Sequence, residues 1–167
     1  ASVGSTGFDS VLRLADDPMA ARIVWDIRLP RSLGAWLAGA LLGLSGAVAQ
    51  GLFRNPLAEP FLLGSASGAS LGVAAALALF GAAPATAWLA KLGLTGAAFV
   101  GAVVAVLLTL QLARGVQHTL RLLLAGVIVG VVLGAIKDLI TLASPDIIAA
   151  MQGFNLGSAG FIGWASC

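Results

Sequence analysis

The chain is poor in the residues that build metal centres and disulfide frameworks. Among its 167 residues there is one cysteine, Cys167, one histidine, His118, and no tyrosine. A single cysteine excludes a disulfide framework within the chain, and so few soft ligands argue against a metal or haem site. A lone histidine beside Thr119 is more typical of an interfacial residue than of a haem ligand. We therefore expect no catalytic residues, no cofactor and no metal site.

Charged residues are also scarce. They make up 10% of the chain, whereas 59% is hydrophobic; soluble domains usually carry about 25% charged residues. This composition excludes a soluble enzyme and a disordered tail. It also excludes a nucleic-acid binder, because the net charge of +2 comes from too few charges to form a phosphate-binding surface. The chain is predicted to be an integral membrane protein surrounded by lipid.

Four apolar stretches have the length of a membrane helix, which needs about 20 residues to cross a core of roughly 30 Å. Short connections between them predict that neighbouring helices run antiparallel. A fifth stretch, Ile147–Ala165, is rich in glycine and predicts a helix that breaks into an irregular loop. The predicted fold class is all-α, a polytopic transmembrane bundle with four to five membrane helices. The four stretches are Leu33–Phe53, Phe61–Phe80, Leu92–Leu112 and Leu122–Leu142.

The N-terminal part has a different character. Residues 1–32 hold eight of the sixteen charges, four arginines and four aspartates. They are too hydrophilic to insert and predict a polar segment, with short surface helices over Phe8–Leu14 and Met19–Trp25. Residues 33–167 then form the membrane domain. The positive-inside rule alone places the polar segment in the cytoplasm, because six of the nine cations share its side.

Glycines recur every four residues in three of the apolar stretches. This spacing places each set on one helix face, where the missing side chain lets a second backbone approach closely. Inside lipid, such van der Waals contact is the main adhesive between helices. We expect these sets to pack helices together: Gly39 and Gly43; Gly64, Gly68 and Gly72; Gly126, Gly130 and Gly134.

The most specific motifs lie between residues 27 and 72. The chain reads Arg28-Leu-Pro-Arg31, then Arg54-Asn-Pro-Leu-Ala-Glu-Pro60, then Leu62-Leu-Gly64 and Ser67-Gly-Ala69. Further on come Arg121-Leu-Leu-Leu-Ala-Gly126, and Leu156-Gly-Ser158 followed by Trp164. In this order, over residues 25–164, the motifs resemble the FecCD-type permeases, the membrane subunits of bacterial ABC importers for iron siderophores, haem and vitamin B12.

This resemblance implies a multi-pass protein of the bacterial inner membrane. It implies that the chain is a fragment from the N-terminal half of a roughly ten-helix permease, without the first helix and the C-terminal half. The implied partners are a periplasmic substrate-binding protein, a cytoplasmic ATPase and a second copy of the permease in a homodimer. The sequence has no Gly-x-x-x-x-Gly-Lys-Ser/Thr loop, so ATP hydrolysis falls to another chain and this one is not an enzyme.

The resemblance also implies roles for two arginines. In the family, arginines at the positions of Arg28 and Arg31 pair with glutamates of the binding protein. Such pairs can be bidentate, so they orient a partner as well as attract it. This implication places residues 1–32 on the periplasmic side of the membrane, against the charge count. The spacing alone is equally typical of cations that anchor a helix at the membrane surface.

A gate is implied in the same way. Asn55 and Leu57 fall where the family closes its cytoplasmic gate, and Thr119 and Leu120 fall on a second gate layer. From the residues alone, Asn55 followed by Pro56 is equally typical of a turn that ends a helix.

The alternative function is an ion-coupled secondary transporter. That class uses carboxylates or broken helices near the middle of the membrane. Here the acidic candidate near a span is Asp138, close to its end. Its neighbour Lys137 is displaced by about 100° around the helix, so we expect the two to be solvated separately rather than paired.

Overall fold

The computed structural model describes residues 3–4, 7–8, 18–81, 88–114, 119–157 and 164. In this part of the chain all regular structure is helical except one short antiparallel pairing of β1 (Val3–Gly4) with β2 (Gly7–Phe8). The predicted all-α class is therefore confirmed. The chain forms two compact units, residues 1–44 with 158–167 and residues 45–157.

In the first unit, α1 (Pro18–Arg22) passes into a π-helical turn (Ile23–Arg28) and then into α2 (Leu29–Phe53), whose last nine residues belong to the second unit. Pro30 explains the π turn, because it has no N–H to donate to the carbonyl four residues earlier. Just before it, the N–H of Leu29 donates to the carbonyl of Val24, five residues back.

This continuity corrects two predicted boundaries. The predicted surface helix Met19–Trp25 is helical, but it is joined to α2, which begins at Leu29 rather than Leu33. Of the other predicted surface helix, Phe8 lies in β2 and residues 9–14 lie outside the described residues. Composition did not predict that α2 begins at Leu29, because it marks only the residues that cross the apolar core of the membrane. A helix can extend beyond that core, with charged turns at the membrane surface.

The second unit begins with the end of α2. It continues through a 3₁₀ turn (Pro60–Leu63), α3 (Ser65–Phe80), α4 (Trp88–Leu112), α5 (Thr119–Ala143), a second 3₁₀ turn (Pro145–Ile147) and α6 (Ile148–Leu156). Three helical stretches of the described chain are long and apolar enough to cross a membrane: Ile23–Phe53, Leu92–Leu112 and Leu120–Ala143.

The predicted span Phe61–Phe80 is wrong in its extent. Gly64 adopts a left-handed backbone conformation with φ 77° and separates the first 3₁₀ turn from α3, which has only 16 residues. A left-handed residue cannot continue a right-handed helix, and glycine is the residue that tolerates this conformation without steric penalty. Within the predicted fifth stretch, α6 ends at Leu156, before Gly157, whose φ is 64°. Residues 158–163 and 165 of this stretch lie outside the described residues.

Contacts between helices fix their relative directions within the second unit. Along α3, Gly68 lies against Gly101 and Gly72 against Ala97, so α3 and α4 run antiparallel. Gly126 lies against Leu62, whereas Gly134, two turns later, lies nearer Ser67, so α5 runs parallel to α3. Consecutive helices α3, α4 and α5 therefore alternate in direction, as predicted. Away from these seams, the large apolar side chains of α4 and α5 are mostly exposed, as expected for surfaces that face lipid.

A first prediction concerns the residue that ends α2. Arg54 has φ 49°, and Asn55 N–H donates to the carbonyl of Gln50 over 3.2 Å, which together form a Schellman cap. A non-glycine residue in this conformation costs roughly 1–2 kcal/mol. Arg54→Gly is therefore expected to be about 1 kcal/mol more stable than Arg54→Ala, which loses the same charge but keeps the strain. Thermal unfolding of the two variants in detergent measures the difference; equal midpoints would contradict the strained cap.

Candidate functional site

Several chain segments meet at one end of the second unit. We call residues 54–64, which join α2 to α3, the linking segment. Ala49 and Phe53 of α2 and Ala58 of the linking segment form a buried apolar cluster. Four half-buried leucines pack against it, two from the linking segment and two from the start of α5: Leu62, Leu63, Leu122 and Leu123. The cluster holds the end of α2, the linking segment and the start of α5 together.

The side chain of Asn55 shapes the linking segment. Its Oδ1 accepts a hydrogen bond from Leu57 N–H over 2.9 Å, and its backbone carbonyl accepts one from Ala58 N–H over 3.1 Å. These bonds close an Asx turn within a β-turn. Ala58 is buried in the cluster, whereas the Leu57 side chain is 85% exposed. The turn therefore exposes the apolar side chain of Leu57 on a backbone that two hydrogen bonds hold in place.

The second predicted pair lies at the start of α5. Thr119 is the first residue of the helix, and Leu120 is 67% exposed. Two residues later, Leu122 packs on the cluster that also buries Ala58. Asn55 and Leu57 thus come just before one member of the cluster, Ala58, and Thr119 and Leu120 come just before a leucine that packs on it.

Close backbone contacts fix the linking segment against α5. A Cβ at Gly126 would collide with the carbonyl group of Leu62, and a Cβ at Gly64 would lie 3.2 Å from the nitrogen of Gly130. Only glycine fits at Gly126 without moving backbone. Gly134 makes looser contact, with the hydroxyl of Ser67 at 4.0 Å from its Cβ position.

A residue that sequence reasoning missed ties the linking segment to α4. Thr109 is completely buried, and its hydroxyl donates a hydrogen bond of 3.0 Å to the carbonyl of Leu63, 46 residues earlier. No motif surrounds Thr109. The available signal was a hydroxyl in a mostly apolar membrane stretch, since threonine often forms hydrogen bonds between membrane helices.

An open groove of about 360 Å³ runs beside these contacts, between the linking segment with the first turn of α3 and the glycine face of α5. Its lining is mostly apolar or glycine, with the carboxylate of Glu59 and the hydroxyl of Ser67 among its polar groups. Such a surface can let a solute slide along it but offers few groups to hold one.

The charges of the second unit are divided between its two ends. Exposed Arg54, Arg114 and Arg121 lie at the end with the linking segment, where helices α2 and α4 finish and α5 begins. Lys137 and Asp138 lie near the other end of α5 and form an ion pair, with 2.6 Å between Nζ and Oδ1. The prediction that they are solvated separately is therefore wrong. The lysine side chain is long enough to reach the carboxylate of its neighbour although the two residues are displaced by about 100° around the helix. The side chain of Lys137 is 23% exposed and that of Asp138 is 67% exposed.

The two predicted docking arginines lie in the first unit. Arg28 ends the π turn and is half-buried, and Arg31 is exposed in the first turn of α2. Nearby in sequence, Trp25 packs against Trp164 with ring centroids 5.4 Å apart, and Trp164 Nε1–H donates to the Trp25 carbonyl over 3.0 Å. This contact joins positions 139 residues apart, a separation that no local pattern reveals.

The remaining predicted packing residues, Gly39 and Gly43, lie on α2. A Cβ at either position would meet no atom within 4 Å among the described residues. Their role in helix packing stays a prediction. His118 and Ser158 lie outside the described residues.

Comparison with known proteins gives three concordant results. The sequence profile of the FecCD transport family matches residues 2–167. The vitamin B12 import system permease proteins BtuC of Escherichia coli O1:K1 / APEC and Shigella boydii serotype 18 are each 41% identical over 148 residues, which is 88% of this chain and 44% of theirs. The solved structure of an ABC transporter of the metal-chelate type, in an inward-facing conformation, matches with a TM-score of 0.80 and 25% identity, over 98% of this chain and 50% of that one. The chain thus spans about half the length of the relatives it matches.

Proposed function

The chain belongs to the FecCD transport family, and from this premise we propose that it forms the gate-bearing half of a permease for vitamin B12 or another bulky metal chelate. Import proceeds by alternating access. A loaded binding protein docks outside, nucleotide binds to a separate ATPase, and the helices rearrange around a path between two permease copies. This chain supplies the path and its gate and carries out no chemistry.

The geometry of the linking segment carries this proposal. Asn55 fixes the turn through its bond to Leu57 N–H, and Ala58 anchors the turn in the core. Leu57 and Leu120 then stand outward as apolar side chains on a backbone that cannot easily shift. Paired with the same leucines of a second permease copy, they close a path against water without binding its cargo. We assign Asn55, Leu57, Thr119 and Leu120 to this cytoplasmic gate.

The charges of the second unit support a cytoplasmic position for the gate. Three exposed arginines lie at the end with the linking segment, Arg54, Arg114 and Arg121. At the other end of the unit lie two cations, Lys91 near the start of α4 and Lys137 near the end of α5. Cytoplasmic ends of membrane helices carry an excess of such cations. Within this unit, the positive-inside rule therefore favours the orientation that the family resemblance implies.

The family resemblance implies a periplasmic position for Arg28 and Arg31. We propose that they bind carboxylates of the substrate-binding protein. Arg31 is exposed at the start of α2, and Arg28 lies in a π-helical turn. Such turns occur often at functional sites.

The cargo is tested most simply in cells. A bacterium that lacks its own permeases for vitamin B12, ferric siderophores and haem would receive the complete gene that encodes this chain, with its ATPase and binding protein. Growth restored on one of these nutrients identifies the cargo, and we expect vitamin B12 or a ferric siderophore. Membrane-inserted protein that restores growth on none of the three would contradict the proposal.

An ion-coupled secondary transporter is the competing function. It needs a carboxylate or a broken helix that binds the coupling ion near the middle of the membrane. Asp138 lies close to the end of α5 and is already paired with Lys137. The break at Gly64 is packed against α5 by backbone contacts. These observations favour the ATP-driven importer.

A further inference from the structure

The break before α3 leaves one carbonyl without its usual helical partner. The regular hydrogen bonds of α3 begin with Gly68 N–H to the carbonyl of Gly64, over 3.0 Å. The carbonyl of Leu63 therefore lies one residue before the helical ladder and is not bonded by it. A buried backbone carbonyl needs some other donor.

Thr109 of α4 supplies that donor. Its hydroxyl lies 3.0 Å from the carbonyl oxygen of Leu63, and the threonine itself is fully buried. The partner is a backbone atom of the linking segment, which means that the bond positions the segment and not a single side chain.

The linking segment is thereby held from two sides. On the α5 side, the Leu62 carbonyl lies against Gly126 with no room for a side chain. On the α4 side, the Leu63 carbonyl is bonded to Thr109. Both attachments hold the segment, but a hydrogen bond also has a preferred distance and direction. The bond to α4 is thus the more specific of the two attachments.

We propose that Thr109 is a positioning residue for the cytoplasmic gate. Its hydroxyl fastens the linking segment to α4, so that Leu57 moves with α4 when the transporter changes state. This inference rests on the proposed gate, because it gives Thr109 a role through Asn55 and Leu57 and not through contact with the cargo.

The test follows the accessibility of Leu57. Leu57→Cys is made in the complete permease after replacement of native cysteines, Cys167 among them, and the permease is reconstituted with its ATPase. The rate of modification by a membrane-impermeant maleimide is measured without nucleotide and in the vanadate-trapped state. With Thr109 intact the two rates differ. In Thr109→Val the ratio of the faster to the slower rate is expected to fall by roughly three- to tenfold. This is the change in an equilibrium constant that the loss of one hydrogen bond produces.

Two controls isolate the bond. Thr109→Ser keeps the hydroxyl and is expected to retain the wild-type ratio. Thr141→Val removes a hydroxyl that bonds Lys137 within α5, over 2.9 Å, and is expected to leave the ratio unchanged. Folded permease is quantified by gel filtration for every variant. Where valine lowers its amount, Thr109→Ala gives the same readout on the folded fraction.

The outcomes separate two failures. A wild-type ratio in folded Thr109→Val would show that the hydroxyl only stabilises the fold, and would overturn the positioning role. Equal rates in both nucleotide states with Thr109 intact would overturn the gate itself, and the role of Thr109 with it.

Discussion

Replacement of Gly101 by valine is expected to prevent α3 and α4 from packing. A Cβ at Gly101 would collide with the carbonyl of Gly68 and lie 3.2 Å from the Cα of Gly72. These are backbone atoms, so the strain cannot be relieved by a change of rotamer and the helices must separate. Overpacking typically costs about 1–3 kcal/mol, and we expect about 3 kcal/mol or more at this contact. That is a large share of the roughly 5–15 kcal/mol that holds a domain together.

The same helix offers a matched control. Gly96 lies five residues earlier in α4, and a Cβ there would meet no atom of the described residues within 4 Å. Gly96→Val makes the same change in helix propensity without the collision. We expect Gly96→Val to give monodisperse permease at near wild-type yield and Gly101→Val to give aggregate, as judged by fluorescence-detected gel filtration. Similar profiles for both variants would contradict the packing of α3 on α4.

The second large effect concerns docking. With Arg28 and Arg31 both changed to glutamate, capture of the loaded binding protein is expected to slow about tenfold or more at low salt, because attraction becomes repulsion. Membrane insertion should change little, because Arg31 is exposed in the first turn of α2. Added salt should shrink the difference by screening the wild-type attraction. Association and dissociation rates on nanodisc-embedded permease measure both effects.

A charge-conserving variant separates docking from anchoring. Arg28→Lys with Arg31→Lys keeps the positive charge but loses the planar fork that binds a carboxylate through two hydrogen bonds. We expect a near-normal association rate and a faster dissociation rate. If the glutamate and lysine variants both bound like the wild type in low salt, these arginines would be membrane anchors, and the periplasmic placement of residues 1–32 would lose its main support.

Sequence reasoning located the helices well where polarity marks their ends. The predicted stretch Leu92–Leu112 ends at the same residue as α4, and Leu122–Leu142 falls within α5. Both are mostly apolar, and an arginine follows the first and precedes the second, so hydropathy locates them. The glycine spacing singled out residues that lie at close backbone contacts: a Cβ at Gly64 would lie 3.2 Å from the nitrogen of Gly130 and 3.3 Å from the carbonyl oxygen of Gly126. Their role in helix packing stays a prediction.

The features that shape the candidate gate escaped prediction for a different reason. Hydropathy measures the polarity of side chains and carries no information on backbone dihedral angles. It therefore could not predict the left-handed conformations of Arg54 and Gly64. The bond from Thr109 to Leu63 joins residues whose neighbours are all apolar, and the residue pattern does not identify a backbone partner on another helix. The family motif marked Asn55 and Leu57, but only the folded chain shows that an Asx turn and a buried Ala58 hold them.

The source of energy tests the central claim most directly. The complete permease, its ATPase and its binding protein would be reconstituted in vesicles, and uptake of the cargo identified in cells would be measured with ATP and, separately, with an imposed proton or sodium gradient. An ATP-driven importer of this family is expected to accumulate cargo only with ATP and the binding protein, whatever the gradient. Uptake driven by a proton or sodium gradient without ATP would contradict the account and establish the ion-coupled transporter in its place.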